Sequence, residues 1–508
     1  MTGDNSFIKD VLTAPVYEVA EHTPLQTARK LSERLGNEIL LKREDLQPVF
    51  SFKIRGSFNK IQSLSPEDRA RGVICASAGN HSQGVALSAE KLGIPAIAVM
   101  PVTTPPIKVQ AVKRYGAKVV LYGDSFNEAQ EHCMRLQEET GAVFVHPFND
   151  PLVIAGQGTI GHELLMDSPR MDAVFVPVGG GGLIAGIAGF LKPLCPGVKI
   201  IGVQPSDANA MALSFEKKRL IELEDINIFA DGVAVKKPGD LTFAMILKYV
   251  DEFITVSTDE TCSAIKTAYE DTRSILEPAG ALALAAVKKY VAREGVRGRR
   301  LIAVNSGANM NFNRLQFVTE RTETGEYREA LFAVTIPEHT GSLRLFCEKV
   351  IGDRRITEFN YRLFDKDRER REAEIFVGVA LENAGDKDDF IRRPGEYDFQ
   401  HLDLTDNELA KNHIRHMVGG KSAAANNEAL YRFRFPERPR ALTDFLNAMR
   451  EDWNISLFHY RSHGGDFGRV LIGFEIPDGD KERFREFLRD LHYFYVEETH
   501  NEAYKLFL

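Results

Sequence analysis

The chain has 508 residues, of which 44% are hydrophobic and 27% charged, and its net charge is −8 at pH 7. This composition is typical of a globular protein, and the length predicts two or three domains because single cores stop growing near ~250 to 300 residues. The acidic balance provides no basic surface for nucleic acid, and no apolar run reaches the ~20 residues of a membrane span. The N-terminus also lacks the basic-then-apolar order of a signal peptide. We therefore expect a cytoplasmic protein that binds neither nucleic acid nor membrane.

The cysteines are few and scattered, and none of them forms a CxxC pair. An odd, dispersed set indicates reduced thiols and argues against a disulfide framework or a zinc site. The five are Cys75, Cys133, Cys195, Cys262 and Cys347.

Short β-branched runs alternate with helical patterns from about residue 20 to 320, which predicts an α/β fold with mainly parallel sheets covered on both faces. The predicted strands are 38–41, 72–76, 96–100, 118–121, 173–178, 199–203 and 301–305. Three of them end in small polar residues, at 77–81, 179–182 and 306–309. Ligands of open α/β sheets bind outside the carboxyl ends of strands, so we expect these three turns to form one site.

The stretch SFKIRGSFNK places Lys53 directly after an aromatic residue and near Arg55. An amine that is desolvated beside another cation loses proton affinity and becomes a nucleophile toward a carbonyl. The alternative is an ordinary amphipathic helix start, capped by Ser51, with Phe52 and Phe58 facing a core.

Four successive glycines, Gly179 to Gly182, follow a strand pattern and precede the helical run that begins at Leu183. This arrangement places amides without side chains at a helix N-terminus, where they and the helix dipole can hold an anion. The sequence therefore predicts a phosphate-binding loop.

Two phosphate cofactors fit this loop. Residues 180–185 match GxGxxG/A, and Asp207 lies near the ~20-residue spacing of a nicotinamide dinucleotide site. Pyridoxal 5′-phosphate instead needs a Schiff-base lysine, a phosphate cup, a partner for the ring nitrogen and a clamp for the substrate carboxylate. Lys53 and Ser306 could supply the first and third of these, so the second alternative gives all three turns a role.

The motifs SFKIRG, SAGNHSQGVA, VPVGGGGLIAG and NSGAN together resemble the β-family, fold-type II pyridoxal-phosphate enzymes, whose catalytic fold is like that of tryptophan synthase β. TPL at residue 23, KRED at 42 and EPAG at 277 are similar to the serine/threonine dehydratases, in particular the biosynthetic threonine dehydratases. The resemblance implies dehydration and deamination of L-threonine to 2-oxobutanoate and ammonia, and of L-serine to pyruvate. It also implies a homotetramer and the first committed step of isoleucine biosynthesis.

The resemblance also implies roles for single residues. Lys53 would be the Schiff-base lysine and would move the α-proton, and Ser306 would bond the ring nitrogen. The other implied contacts are Phe52 beside the ring, Asn80 on the ring hydroxyl, the amides of Gly179, Gly180, Gly181, Gly182 and Leu183 on the phosphate, and Ser77, Ala78, Gly79, Asn80 and His81 around the substrate.

Two departures separate the chain from the similar serine racemases. Those enzymes have a serine where this chain has Ala78, and without that hydroxyl two-sided proton exchange is disfavoured. They also bind a divalent metal through a Glu and an Asp at positions that resemble Gln204 and Ala210 here. An amide and a methyl are poor ligands for a hard cation, so we expect no metal. A serine dehydratase or racemase, and more remotely a dinucleotide-dependent oxidoreductase, remain alternatives.

An internal repeat follows residue 320. Glu329-Ala330-Leu331 recurs as Glu428-Ala429-Leu430, a shift of 428 minus 329, or 99, and the same shift relates residues 359–362 to 458–461. Each copy has the order of a split βαβ motif. The pair resembles ACT-like regulatory domains, which implies feedback inhibition by isoleucine, antagonised by valine.

The expected domains are therefore a catalytic part at 1–320 and regulatory modules at 329–401 and 426–497. Tyr361 and Tyr460 occupy equivalent positions in the repeat and are predicted to contact the effector. Paired aromatic residues of two small cores are the alternative interpretation.

Overall fold

The computed structural model divides the chain into two compact units, 1–318 and 319–508. Among the helices it describes, none combines the length and apolarity needed to cross a membrane. The residues described are 4–325, 328–337, 345–352, 354, 356–362, 372–382, 384–416, 428–436, 445, 448–449, 453–461 and 467–507.

The larger sheet of the first unit has six strands in the order β1-β2-β10-β7-β8-β9. All neighbouring pairs are parallel except β1 with β2. Its strands are β1 (Leu25–Thr27), β2 (Glu38–Arg43), β7 (Ala173–Pro177), β8 (Lys199–Pro205), β9 (Glu252–Val256) and β10 (Arg300–Asn305). The middle residues of the central strands β10, β7 and β8 are apolar and buried, as expected for a sheet with helices on both faces.

The smaller sheet is entirely parallel and has the order β5-β4-β3-β6. Its strands are β3 (Val73–Ala76), β4 (Ala96–Met100), β5 (Lys118–Leu121) and β6 (Val143–Phe144). The fold-class prediction is confirmed, and all seven predicted strands are present with ends shifted by at most two residues. Strands β1, β6 and β9 were not predicted from the sequence. Of these, β1 has only three residues and β6 only two.

The helices of this unit cover both sheets, and several begin at side-chain caps. Ser125 and Ser257 each form a capping box with a glutamate three residues on. The helices are α1 (Asp4–Leu12), α2 (Arg29–Leu35), α3 (Lys53–Gln62), α4 (Pro66–Arg71), α5 (Asn80–Leu92), α6 (Pro106–Arg114), α7 (Phe126–Thr140), α8 (Pro151–Asp167), α9 (Gly182–Leu194), α10 (Ala210–Lys217), α11 (Asp240–Tyr249), α12 (Thr258–Thr272), α13 (Pro278–Glu294) and α14 (Leu315–Gly325).

A buried ion pair network holds α3 in place. Arg55 lies one helical position beyond Ile54 and donates to Glu44 Oε1 at 2.8 Å and to Glu163 Oε1 at 2.6 Å. Lys42 Nζ lies 2.6 Å from Glu163 Oε2. These four side chains are at most 1% exposed, and charges without water are tolerated only when they are paired in this way. The network therefore fixes α3 against the end of β2 and against α8.

Glycines let the neighbouring helices approach α3 closely. A Cβ on Gly156 of α8 would lie 2.7 Å from the Cα of Gly56, and one on Gly84 of α5 would lie 3.1 Å from the carbonyl carbon of Lys53. The first turn of α3 is thus packed between α5 and α8.

The second unit contains two antiparallel sheets with the same topology, β12-β13-β11-β14 and β16-β17-β15-β18. The first consists of β11 (Glu329–Pro337), β12 (Ile356–Arg362), β13 (Glu372–Ala380) and β14 (Gln400–Asp403), and the second of β15 (Glu428–Pro436), β16 (Asn454–Arg461), β17 (Phe467–Glu475) and β18 (Tyr495–Glu497). The helices are α15 (Ala384–Glu396), α16 (Glu408–Asn412), α17 (Lys481–Asp490) and α18 (Glu502–Phe507), with a π-helix at Phe346–Ile351.

The predicted repeat is visible in the backbone. The register of β12 shifts between Ile356 and Glu358, and that of β16 shifts between Ile455 and Leu457, which is the same place at the 99-residue offset. Each copy has its own core, and a third apolar cluster joins residues of both copies, including Leu331 of β11 and Leu430 of β15.

The two predicted effector residues occupy matching places in this repeat. Tyr361 lies opposite Ile375, and Tyr460 lies opposite Val470. Ile375 and Val470 belong to the separate cores of the two copies. The side chains of the two tyrosines fall outside the part of the chain that the structure describes, so their contact with an effector stays a prediction.

We expect Arg55→Leu to lower the free energy of unfolding by about 3–5 kcal/mol, because Glu44 would remain buried without its cation and Glu163 would keep only Lys42. Arg71→Ala is the matched control, since Arg71 is an exposed arginine paired with Asp68 at the surface. Thermal unfolding of both full-length variants measures the difference. Equal unfolding midpoints for the two variants would contradict a stabilising role of the buried pairs.

Candidate active site

The start of α3 and the turn after β10 lie side by side. The backbone N–H of Phe52 donates to the Ser306 carbonyl at 3.2 Å, and Ser51 and Gly307 form an isolated β-bridge. Two of the predicted motifs, SFKIRG and NSGAN, therefore meet as expected.

Lys53 is the first residue of α3, and its ammonium is only partly exposed to water. Its Nζ donates to the Pro147 carbonyl at 2.9 Å and lies 5.2 Å from the centroid of the Phe52 ring. Burial lowers the pKa of Lys53 to about 8, although the negative charge of Glu277 acts in the opposite direction. A useful fraction of this amine is therefore neutral near physiological pH.

The glycine loop runs from the end of β7 into α9, and its neighbours leave no room for side chains. A Cβ on Gly180 would lie 2.3 Å from Cγ of Phe148, and one on Gly182 would lie 3.0 Å from the Phe148 Cα. Gly181 has φ +96°, a conformation that favours glycine. The loop thus packs against the Phe148 segment and leads into the N-terminus of α9, where main-chain amides suit an anion.

His146 shapes the segment between this loop and Lys53. Its Nδ1 accepts the backbone N–H groups of Phe148 at 3.1 Å and Asn149 at 2.7 Å. Burial and the charge of Lys53 lower the pKa of His146 to about 4. The imidazole is therefore neutral and acts as an acceptor that holds the turn.

The turn after β3 supplies Ser77 to Gly79, which are half-buried. Ser77 Oγ accepts the Gly79 N–H at 3.2 Å, and a Cβ on Gly79 would lie 3.8 Å from Lys108 Nζ. The amides of the turn, with Ala78 between them, therefore lie close to a cation.

The side chain of His81 points away from the predicted substrate contacts. It is 2% exposed, and its Nε2 donates to the Val145 carbonyl at 2.7 Å. Burial, with a contribution from Lys53, lowers its pKa to about 3. The imidazole therefore ties α5 to the end of the smaller sheet.

Asn80 is bonded on both sides of its amide. Its Nδ2 donates to Glu277 Oε1 at 2.6 Å, and its Oδ1 accepts from Asn309 Nδ2 at 2.7 Å. Asn309 also donates to the Val49 carbonyl at 2.8 Å. The SAGNH, EPAG and NSGAN segments are thus linked through one side chain.

Ser306 is 4% exposed, and its Oγ lies 3.4 Å from the Ala279 carbonyl. The backbone here is tightly packed, since a Cβ on Gly280 would lie 2.1 Å from the Gly307 carbonyl oxygen. The hydroxyl is therefore held at the end of β10 by a long, weak bond that a better acceptor could replace.

Four charged residues of this region, Glu277, Asp231, Lys108 and Arg314, had no role assigned from the sequence. Glu277 is 3% exposed, and burial together with the charge of Asp231 raises its pKa to about 7. Burial alone would raise the pKa of Asp231, but the positive charges of Lys108 at 2.5 Å and Arg314 at 3.7 Å outweigh it and lower this pKa to about 2. A carboxylate inside the apolar run ILEPAGALAL was the signal that could have identified Glu277.

Gln204, which occupies one of the predicted racemase metal positions, has a structural role. Its Nε2 donates to the Val178 carbonyl at 3.0 Å, and its Oε1 accepts the Ala212 N–H at 2.7 Å. Within the described ranges, no group of three metal-binding side chains occurs.

These residues fit pyridoxal phosphate. The glycine loop presents main-chain amides without side chains at the N-terminus of α9, where they can bind the phosphate, and the Lys53 amine lies on the neighbouring Pro147-Phe148 segment. Ser306 lies at a third strand end, joined to Phe52 through the backbone.

We expect Gly180→Ala to weaken pyridoxal-phosphate binding at least about tenfold, because the new methyl group would overlap the Phe148 ring and displace the loop. Gly197→Ala is the matched control, since a Cβ at Gly197 meets nothing within 4 Å. Titration of the cofactor-free proteins, followed by visible absorbance, measures both affinities. If the two variants bind the cofactor equally well, the loop does not depend on this close contact.

Family models match both parts of the chain. The model described as pyridoxal-phosphate dependent enzyme matches residues 16–307, and the C-terminal regulatory domain of threonine dehydratase matches residues 320–414 and 419–508. The cofactor is therefore pyridoxal phosphate and not a nicotinamide dinucleotide.

Known proteins are similar over the whole chain. It is 52% identical to the biosynthetic L-threonine dehydratase of Burkholderia multivorans over 99% of each chain, and 48% identical to that of Escherichia coli over 99% of this chain and 97% of the other. A solved structure, the processed form of threonine deaminase isoform 2 from Solanum lycopersicum, matches with 47% identity and a TM-score of 0.62, covering 63% of this chain and 88% of that one. The chain thus belongs to the biosynthetic threonine dehydratases, pyridoxal-phosphate-dependent ammonia-lyases with a C-terminal regulatory domain.

Proposed function

We propose that the site around Lys53 converts L-threonine to 2-oxobutanoate and ammonia, that it also converts L-serine to pyruvate, and that isoleucine inhibits it while valine antagonises this inhibition. The observation that carries the proposal is the Lys53 amine, whose pKa burial lowers to about 8, next to the glycine loop at the start of α9.

Lys53 and the loop would hold the cofactor from two sides. Lys53 Nζ would be the covalent attachment point, Phe52 would lie beside the ring, and the amides of Gly179 to Leu183 would bind the phosphate. When bound, pyridoxal phosphate withdraws electrons from the substrate α-carbon and so makes the α-proton acidic. Asn80 would contact the ring hydroxyl and Ser306 the ring nitrogen.

Lys53 has the second task of moving the proton. The neutral Nζ would take the α-proton of the bound substrate, and its lowered pKa suits a base that works near neutral pH. The β-hydroxyl group leaves as water, and the released enamine takes up water to give the 2-oxo acid and ammonia. A neutral hydroxyl at Ser306 draws less charge into the ring than a carboxylate would, which suits rapid loss of the β-hydroxyl group.

The turn after β3 would bind the substrate carboxylate. The amides around Ser77, Ala78 and Gly79 are half-buried, and Lys108 provides positive charge beside them. The methyl group of Ala78 offers no second proton donor, which favours elimination over racemisation.

The second unit would carry the regulation. We propose regulatory modules at 329–401 and 426–497, following a catalytic part at 1–320, with Tyr361 and Tyr460 as effector contacts. The repeated topology and the match to a threonine dehydratase regulatory domain support this assignment. We further propose a homotetramer that works in the cytoplasm, where the five free cysteines would stay reduced.

The cofactor-free protein should capture pyridoxal phosphate faster as the pH rises. Only the neutral amine attacks the aldehyde, so the rate should increase about tenfold per pH unit below 8 and level off above it. Stopped-flow visible absorbance measures the rate. Lys53→Ala should give no change in the cofactor's visible band on mixing. The variant of an exposed lysine, Lys91→Ala, should behave like the wild type. A rate that is constant from pH 6.5 to 9 would contradict the role of the buried amine.

Initial rates with threonine should fall when isoleucine is added and recover when valine is added, with 2-oxobutanoate as the measured product. Tyr460→Ala should weaken the inhibition without changing the rate in the absence of isoleucine. A Tyr460→Ala protein that folds normally and keeps wild-type inhibition would remove this residue from the effector site. An absence of 2-oxobutanoate from the wild-type protein would contradict the proposed reaction.

A further inference from the structure

Asn80 lies in the middle of a row of hydrogen-bonded side chains that runs from Asn309 to Glu277. Asn309 Nδ2 donates to the carbonyl oxygen of the Asn80 amide, and Asn80 Nδ2 donates to the Glu277 carboxyl, at 2.7 and 2.6 Å. Asn309 also donates to the Val49 carbonyl, which can only accept. Each side chain in this row therefore donates toward Glu277, so the hydrogen bonds all run in one direction from Asn309.

This alternation fixes which way the Asn80 amide faces. If the amide were turned over, its NH₂ group would meet the NH₂ group of Asn309, and its oxygen would meet the oxygen of Glu277. With Glu277 ionised, both bonds would be lost in a half-buried place, where unsatisfied polar groups are costly. The amide is thus held in a single orientation by its two neighbours.

Glu277 is itself confined to this position. Its backbone N–H donates to the Gly307 carbonyl at 3.2 Å, and a Cβ on Gly307 would lie 2.5 Å from Glu277 Oε1. Glycine at 307, directly after Ser306, therefore leaves the space through which the Glu277 carboxyl reaches Asn80.

The Asn80 NH₂ group has two hydrogens, and Glu277 accepts one of them. Among the residues that the structure describes, Glu277 is the one acceptor of this group, and Asn80 itself is half-buried. The second hydrogen is consequently aimed in a fixed direction and can serve a ligand oxygen.

We propose that Glu277 and Asn309 clamp the Asn80 amide, so that its second N–H is presented to the hydroxyl oxygen of the cofactor ring. Glu277 and Asn309 are positioning residues in this arrangement, because they act through Asn80. The inference rests on the proposed function, which places Asn80 at that oxygen.

A double-mutant cycle on the full chain tests the clamp, with pyridoxal-phosphate affinity and the position of the visible band as readouts. Glu277→Ala should weaken binding about tenfold in the wild-type background and less than about twofold in the Asn80→Ala background, because a residue that acts through Asn80 has no effect without it. Glu277→Gln should bind within about twofold of the wild type, since its amide oxygen still accepts from Asn80.

Asn309→Asp tests the other end of the clamp without changing the size of the side chain. A carboxylate cannot donate to the Asn80 oxygen, so the Asn80 amide should lose its single orientation and binding should weaken about as much as in Glu277→Ala. Asn313→Asp is the matched control, because it adds the same charge on an exposed residue nearby. Unchanged thermal unfolding of the cofactor-free variants confirms that they fold.

Two results would overturn the clamp, and they can be told apart. If Glu277→Ala weakens binding equally with and without Asn80, Glu277 acts independently of that amide, and the clamp is wrong while the proposed cofactor contact stands. If Asn80→Ala binds the cofactor like the wild type, the proposed contact of Asn80 is wrong, and the clamp fails with it.

Discussion

The buried pairing of Arg55 with Glu44 and Glu163 is the constraint on which the catalytic unit depends. Removing two carboxylates and a guanidinium from water costs several kcal/mol per ion unless they meet in good geometry. The three side chains come from α3, from the turn after β2 and from α8, so these elements can pack in only one relative position. Lys53 begins the same helix two residues before Arg55. The position of the reactive amine is therefore a consequence of the ion pairs behind it.

Close backbone approach is the second constraint on the site. Gly180 and Gly182 lie against Phe148, and the residue before Phe148 accepts the hydrogen bond from Lys53. The segment 147–149 thus lies between the glycine loop and the Lys53 amine and sets their separation. Neutral His146 holds this segment through its Nδ1. Low pKa values of His146 and of His81, about 4 and about 3, keep both imidazoles uncharged beside the cationic lysine.

The regulatory unit follows a different plan, in which one small fold is used twice. Even the irregular register of β12 recurs in β16. Each copy buries an apolar face in its own core, and the opposite faces contribute residues such as Phe376 and Leu471 to a shared cluster. The shared cluster therefore couples the packing of one copy to that of the other.

The sequence by itself determined most strands of the parallel sheets, the glycine loop, the candidate lysine and the 99-residue repeat, because each is written in local periodicity or in a short motif. Only the tertiary structure decided which distant groups meet. Asn80 and Glu277 are 197 residues apart, and Arg55 and Glu163 are 108 apart. No local pattern links such pairs, since their contact arises when separate helices and strand ends pack together. Burial in the folded catalytic unit then raises the pKa of Glu277 to about 7 and lowers that of Lys53 to about 8.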